Sequence, residues 1–275
     1  MTRIFMFSLG VIFTVYQKTD LSKFVKAIES VVNQTKLPQS IIIVCDGCNS
    51  DLFKKAISGV VPHSIKLFFY SYSVNSGPGF ARDFGIRKAE EDLIAVMDSD
   101  DVSVADRFAL QLAFFESNEN ISVCGGFIEE FDNLSGQRKL RRVPLQHSDI
   151  QNAIKIKSPV NNVTAMFKRS DYLSSGGYPA LRSSEDYSLW ARFISSGYKI
   201  HNLDSVLVQV EFDIDAIQRR NGLLHFKNDF ITQREMLKNG LIDKFEFVRN
   251  ITKYCIFRFL PVGVKKMLYQ HVLRK

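Results

Sequence analysis

Leu93-Ile94-Ala95-Val96-Met97-Asp98-Ser99-Asp100-Asp101 is the stretch on which the fold turns. Five apolar residues run without a break into a segment holding three carboxylates. An uninterrupted apolar run of this length is what a parallel strand covered on both faces requires. The acids then fall at its carboxyl end, where open α/β sheets bind ligands. Upstream, Ile41-Ile42-Ile43-Val44-Cys45 is a second such run, and it stops at Asp46-Gly47, a turn signal. Residues 4–15 are an earlier apolar run rich in Phe, Val and Ile. Between these two, Asp20 is placed to cap a helix. Leu21, Phe24, Val25, Ile28, Val31 and Val32 then recur at helical spacing to about Gln34. A short helix at 52–58 and a strand at 66–70 follow. Asn75-Ser76-Gly77-Pro78-Gly79 is a turn that launches a helix to about Glu91. Strand and helix alternating in this order predict an α/β fold with a mainly parallel sheet flanked by helices.

Beyond the acids the spacing predicts a helix over 104–117 and a strand over 121–131. From Pro144 the pattern is less regular. A strand is expected over 162–167, and a helix over 184–194 capped by Ser183 or Ser184. From about residue 215 the chain reads as helical. The expected organisation is a main domain over 1–215 and a basic helical extension over 216–275.

The chain has 275 residues, 45% apolar and 24% charged, enough to bury a large core. Its net charge of +7 is confined to residues 244–275, where eight Lys or Arg face one acid, Glu246. The rest is neutral, which excludes a uniformly basic nucleic-acid binder. The basic tail also carries Phe245, Phe247, Tyr254, Phe257, Phe259, Leu260 and Leu268. That mixture suits an anionic membrane surface. A helix packed on the core with a solvated basic face would show the same composition. No run approaches the roughly 20 apolar residues that cross a bilayer. The apolar run after Arg3 leads directly into an amphipathic helix, so it reads as a strand and not as an export signal. The expected compartment is the cytoplasm, with a peripheral position on the inner face of the plasma membrane. Cys45 and Cys48 form a C-x-x-C without the second pair that a zinc site needs, and Cys45 ends a strand instead of opening a helix.

Each candidate site residue carries two readings. Carboxylates as close as Asp98, Asp100 and Asp101 repel, and a hard cation such as Mg²⁺ or Mn²⁺, completed by water and phosphate oxygens, would hold them. The same acids would also cap the helix that follows. Asp46 offers acceptor oxygens to a base N–H or a ribose hydroxyl, or else it only closes an Asp-Gly turn. Gly77 to Arg82 lacks the Lys-Ser/Thr of a P-loop, yet its glycines let backbone approach a ligand and Arg82 could reach a phosphate. Glu185-Asp186 opens a helix, where a carboxylate is favoured by the dipole and could also serve as a general base.

Taken together and in order, these marks resemble the family 2 glycosyltransferases of the Rossmann-like GT-A fold. The resemblance runs over roughly residues 8–195. It rests on Thr14-Val15-Tyr16, Val31-Val32-Asn33-Gln34-Thr35, Ile41 to Gly47 and Asn75-x-Gly77 through Ala81-Arg82-x-x-Gly85-Ile86. It continues through Asp98-Ser99-Asp100-Asp101, Asp106-Arg107, Gly176-Gly177-Tyr178 and Glu185-Asp186-Tyr187-Ser188-Leu189-Trp190. It implies that Thr14, Tyr16 and Asp46 hold the nucleobase of a UDP-sugar, that Asp98 binds ribose or metal, and that Asp100 ligates Mg²⁺ or Mn²⁺. It also implies that Asp186 is the base of an inverting transfer to a lipid-diphosphate-linked saccharide in exopolysaccharide or O-antigen assembly. Cys45-Asp46 stands where the family often has Asp-Asp, Asp83 where Asn is common, and Asn161 where His often precedes a Thr. Two rivals remain: a sugar-phosphate nucleotidyltransferase, whose Gly-rich loop after the first strand is here Tyr16-Gln17-Lys18-Thr19, and a non-catalytic saccharide-binding or scaffolding member.

Overall fold

The structure is a computed structural model that describes residues 7–131, 136–211 and 222–260. Its first half alternates as the sequence predicts: β1 (Leu9–Tyr16), α1 (Leu21–Val32), β2 (Ser40–Asp46), α2 (Asp51–Ala56), β3 (Lys66–Tyr72), α3 (Pro78–Lys88) and β4 (Leu93–Met97). Asp20 caps α1, its carboxylate accepting from the backbone N–H of Ser22 and Lys23. The four strands are parallel and lie in the order β3-β2-β1-β4. The order reverses at β1, so a crevice opens where β1 and β4 end side by side.

The apolar runs are continuous because both sides of the sheet are covered. Val11, Phe13, Val15, Ile41, Ile43, Leu93 and Ala95 pack into one core with Phe24 and Ile28 of α1. Their neighbours Ile12, Ile42, Val44, Ile94 and Val96 pack into a second core with Ala81 and Ile86 of α3. Alternate residues thus serve opposite layers, as strand geometry demands. Gly85 lets α3 lie close on the sheet: a Cβ there would meet Ile12 Cδ1 at 2.4 Å and Val44 Cγ2 at 2.7 Å.

The second half departs from the parallel pattern. It holds β5 (Val102–Ser103), α4 (Arg107–Ser117), β6 (Ile121–Phe131), β7 (Arg138–Arg141), α5 (His147–Ala153), β8 (Met166–Lys168), α6 (Arg169–Ser174), α7 (Glu185–Ser195) and β9 (Lys199–Glu211). The strand expected over 162–167 is a 3₁₀ turn, Asn162–Thr164, followed by the short β8, which pairs antiparallel with both β4 and β6. β9 has no clear signal in the sequence, because His201, Asn202, Asp204 and Ser205 interrupt its apolar pattern. It pairs parallel to β6 over most of that strand. The fully buried Asn202 donates to the carbonyls of Pro144 at 2.6 Å and Pro159 at 3.0 Å.

Where the sheet changes direction, buried polar side chains satisfy the backbone. Arg107 donates to Val96 O at 2.9 Å, and Gln111 donates to Cys124 O at 2.7 Å and Thr164 O at 2.9 Å. Gln34 joins α1 to this joint by donating to Val104 O at 2.6 Å and accepting from Phe108 N at 3.1 Å. The chain then forms two helices, α8 (Leu223–Lys238) and α9 (Lys244–Phe259). The expected domain boundary near 215, residues 1–6 and the tail after 260, Leu268 included, lie outside the described residues.

The close contact at Gly85 makes a stability prediction with a definite sign. Gly→Ala in an unconstrained helix stabilises by about 1 kcal/mol. Gly85→Ala should instead lower the unfolding free energy by roughly 1–3 kcal/mol through overpacking, read from the urea midpoint.

Candidate active site

The crevice holds two adjoining cavities. The smaller, of about 320 Å³, lies at the ends of β1, β2 and β4 and is lined by Thr14, Tyr16, Asp46, Gly77, Asp98 and Asp100, among others. Tyr16 sits in register with Asp46, and Asp46 with Tyr72, so the three strands end level. Asp46 does more than close a turn. Its carboxylate accepts from Ser76 N at 2.6 Å and Gly77 N at 2.9 Å, which pins the loop before α3 to the end of β2. Each carboxylate oxygen retains a further lone pair, so a ligand N–H remains within its capacity. Gly77 takes a φ of 93°, a conformation that suits glycine, and Pro78 then starts α3. Arg182, unmarked in the sequence reading, reaches across from the loop before α7 and donates to Asn75 Oδ1 at 3.0 Å and Asn75 O at 2.5 Å. It borders both cavities.

Arg82 is committed differently from the sequence expectation. It lines the larger cavity, not the smaller. Arg82 is 6% exposed, and its guanidinium donates to Asp98 Oδ1 at 2.7 Å and to Glu185 Oε1 at 3.0 Å. A buried arginine already paired with two carboxylates is a tether before it is a phosphate ligand. It joins the end of β4 to the start of α7. Burial pushes the Glu185 carboxyl up, and the Arg82 guanidinium pulls it back.

The larger cavity, of about 590 Å³, is lined by Asp98, Asp101, Asn161, Asn162, Asp186 and Tyr254, among others. Asp186 faces it from the first turn of α7. The residue before this turn pair, Ser184, has φ 59°, the one non-glycine residue with positive φ among those described. Such a conformation persists only when its surroundings impose it. Ser184 was expected to cap α7, but its side chain makes no capping bond. Its hydroxyl donates instead to Asp229 Oδ1 of α8 at 2.7 Å. Asp229, 3% exposed, also accepts from Arg258 Nε of α9 at 2.7 Å, and Ser183 Oγ accepts from Asn228 Nδ2 at 2.8 Å. The helical extension therefore holds the segment that presents Asp186. Nothing local in the sequence signals this, because the partners are 45 residues apart.

Asp98 and Asp100 line the smaller cavity, and Asp98 and Asp101 line the larger one. Burial raises the Asp101 carboxyl well above its usual range, and the charges of Asp98 and Asp100 add to the rise. Among the described residues no three His, Cys, Asp or Glu side chains converge as a metal cage. A Mg²⁺ or Mn²⁺ site needs only one or two carboxylates when a diphosphate supplies further oxygens. Asp98 and Asp100, both on the wall of the smaller cavity, fit that incomplete set. The C-x-x-C does not suit redox work, since burial, with Cys48 adding, pushes the Cys45 thiol up to about 12.

The chain is similar in sequence and fold to known proteins. The family model described as glycosyl transferase family 2 matches residues 11–175. An amylovoran biosynthesis glycosyltransferase of Erwinia amylovora is 30% identical over 95% of this chain and 97% of its own length. A UDP-Gal:alpha-D-GlcNAc-diphosphoundecaprenol beta-1,3-galactosyltransferase of Escherichia coli is 26% identical over 97% of this chain and 96% of its own. Among solved structures, S. aureus TarS 1–349 in complex with UDP-GlcNAc superposes with a TM-score of 0.63 at 16% identity, covering 96% of this chain and 76% of that one. That likeness carries the GT-A architecture. A nucleotidyltransferase is thereby set aside: the chain is a transferase enzyme and belongs to glycosyl transferase family 2.

Proposed function

We propose that this enzyme transfers a hexose from a UDP-sugar to a lipid-diphosphate-linked saccharide with inversion at the anomeric carbon. Its expected place is bacterial exopolysaccharide or O-antigen assembly at the inner face of the plasma membrane. The observation that carries the reading is the position of Asp98. It sits on the wall between a cavity with the features of a nucleotide-sugar site and a larger one into which Asp186 faces. The printed activity of the E. coli relative, a UDP-Gal donor and a diphosphoundecaprenol-linked acceptor, supports the choice of donor and acceptor classes.

On this reading Thr14, Tyr16 and Asp46 hold the nucleobase, and Asp98 takes the ribose or joins Asp100 at the metal. Asp186 accepts the proton of the acceptor hydroxyl, and that oxygen attacks the anomeric carbon from the face opposite the departing diphosphate. One displacement inverts the centre, so an α-linked donor gives a β-linked product. Mg²⁺ or Mn²⁺, when bound, supplies charge neutralisation for the leaving diphosphate. Arg82 keeps the two ends of the reaction in register, since one guanidinium grips both Asp98 and Glu185, the neighbour of Asp186. The contact of Ser184 with Asp229 sets the turn from which Asp186 projects. A geometry held by packed elements on both sides is what proximity catalysis requires.

Asp186→Asn should lower turnover by about 10²–10⁴-fold while UDP and Mn²⁺ still bind, as followed by calorimetry. Unchanged turnover removes Asp186 from the base role, and a turnover-free parent chain favours a saccharide-binding or scaffolding member. Asp100→Asn should abolish the dependence of UDP affinity on Mn²⁺, which titration with and without chelator reads directly. Arg82→Met strands Glu185 in a buried site and should cost roughly 3–5 kcal/mol of stability, measured by denaturant unfolding.

A further inference from the structure

The structure extends the basic character of the tail to a second helix and shows where it points. α8 and α9 lie antiparallel: Gly222 N donates to Arg258 O at 3.3 Å, Phe226 meets Phe259 at 6.0 Å and Phe230 meets Phe247 at 5.7 Å between ring centroids. These contacts pack the two helices side by side, with Phe247 turned to the core and Phe259 on the exposed side. Within the helices every exposed charged residue is basic: Lys227, Arg234 and Lys238 on α8, and Lys244, Arg249 and Lys253 on α9; the exposed Asp243 caps α9 just before its first residue. The acids of the same helices are turned inward or used. Asp229 is buried against Arg258, Glu235 pairs with Arg192, and Glu246 closes the capping box of α9 and pairs with Lys155.

Large apolar side chains stand among these cations. Leu223 is 71% exposed, Phe245 77%, Val248 62% and Ile256 59%, with Leu224, Phe230, Ile231 and Phe259 also exposed. On α9 the series 245, 248, 256, 259 keeps one narrow stripe at helical spacing, with Lys244 on one flank and Arg249 and Lys253 on the other. On α8 Leu223, Lys227, Phe230, Ile231, Arg234 and Lys238 share a face in the same way. No described helix is long and apolar enough to cross a membrane.

We infer that this two-helix face seats on an anionic lipid bilayer, with its apolar side chains at the headgroup–acyl boundary and its lysines and arginines among lipid phosphates. The charge complementarity decides the occupant. A second copy of the chain paired face to face would bring cation against cation. A protein partner's interface core is depleted in lysine, whereas four lysines and two arginines here flank or interleave with the exposed apolar residues. Interfacial helices show that interleaving. The inward sides of the same helices contribute His225, Asp229, Tyr254 and Arg258 to the larger cavity. Seating the outer side on lipid therefore places that cavity beside the bilayer, where the sugar of a lipid-anchored acceptor is carried. This last step rests on the acceptor class proposed above; the docking surface itself does not.

The test is co-sedimentation of the full chain with phosphatidylcholine vesicles, pure or mixed with phosphatidylglycerol. The parent should partition strongly to the mixed vesicles and weakly to the pure ones. Lys227→Ala/Lys253→Ala should weaken partitioning about twenty-five-fold, at roughly fivefold for each cation lost. Phe245→Ser/Ile256→Ser should weaken it by about tenfold or more. Both variants should keep the parent's UDP affinity and unfolding midpoint, since the altered side chains lie outside the crevice. The surface is wrong if the parent ignores phosphatidylglycerol, if both variants partition like the parent, or if light scattering shows a dimer that Phe245→Ser/Ile256→Ser dissociates. Vesicle binding without any affinity for UDP would instead sink the functional reading and leave the surface standing.

Discussion

The Arg82 guanidinium, buried between Asp98 and Glu185, is the interaction on which the geometry of the crevice depends. Each partner comes from a different element: α3, the end of β4 and the start of α7. Removing a charge of either sign from water is expensive, and only mutual pairing makes the burial tolerable. Once the pair is formed, neither β4 nor α7 can shift without exposing an uncompensated charge. The arginine thus converts the cost of desolvation into rigidity at the boundary between the two cavities.

A second constraint reaches the same helix from outside the sheet. Ser184 holds a left-handed backbone angle, and the helical extension supplies its partner, Asp229. Ser188 and Arg192 of α7 meet Glu235 of α8 in the same manner. α7 is therefore clamped on one side by the sheet through Arg82 and on the other by α8. An appendage judged by composition alone to be a basic tail is, in its inner half, part of the scaffold of the active-site segment. Its outer half is left to carry cations and apolar side chains.

Several marks of the family resemblance do scaffold work. Gln34 and Arg107 bind backbone at the joint between the parallel and antiparallel parts of the sheet. Gly85 permits the close approach of α3. Asp46 anchors the loop that leads into α3. A motif that recurs in order along a chain reports the fold as much as the chemistry, because the fold is what brings Thr14, Asp98 and Asp186 to one crevice.

By itself the sequence determined the parallel half of the sheet and the position of its acids. Local physics suffices there: unbroken apolar runs demand cover on both faces, Asp20 caps α1, and the runs end at Asp46 and Asp98 where the strands end. β9 escaped notice because its polar residues are satisfied by distant carbonyls, as Asn202 is by Pro144 and Pro159. The commitment of Arg82 to Glu185, 103 residues away, and of Ser184 to Asp229 belongs to the tertiary structure alone. So does the acid-free face of α8 and α9. Charge pairing across elements leaves no periodicity to read, and whether a carboxylate faces solvent or a buried arginine is settled only when the helices pack.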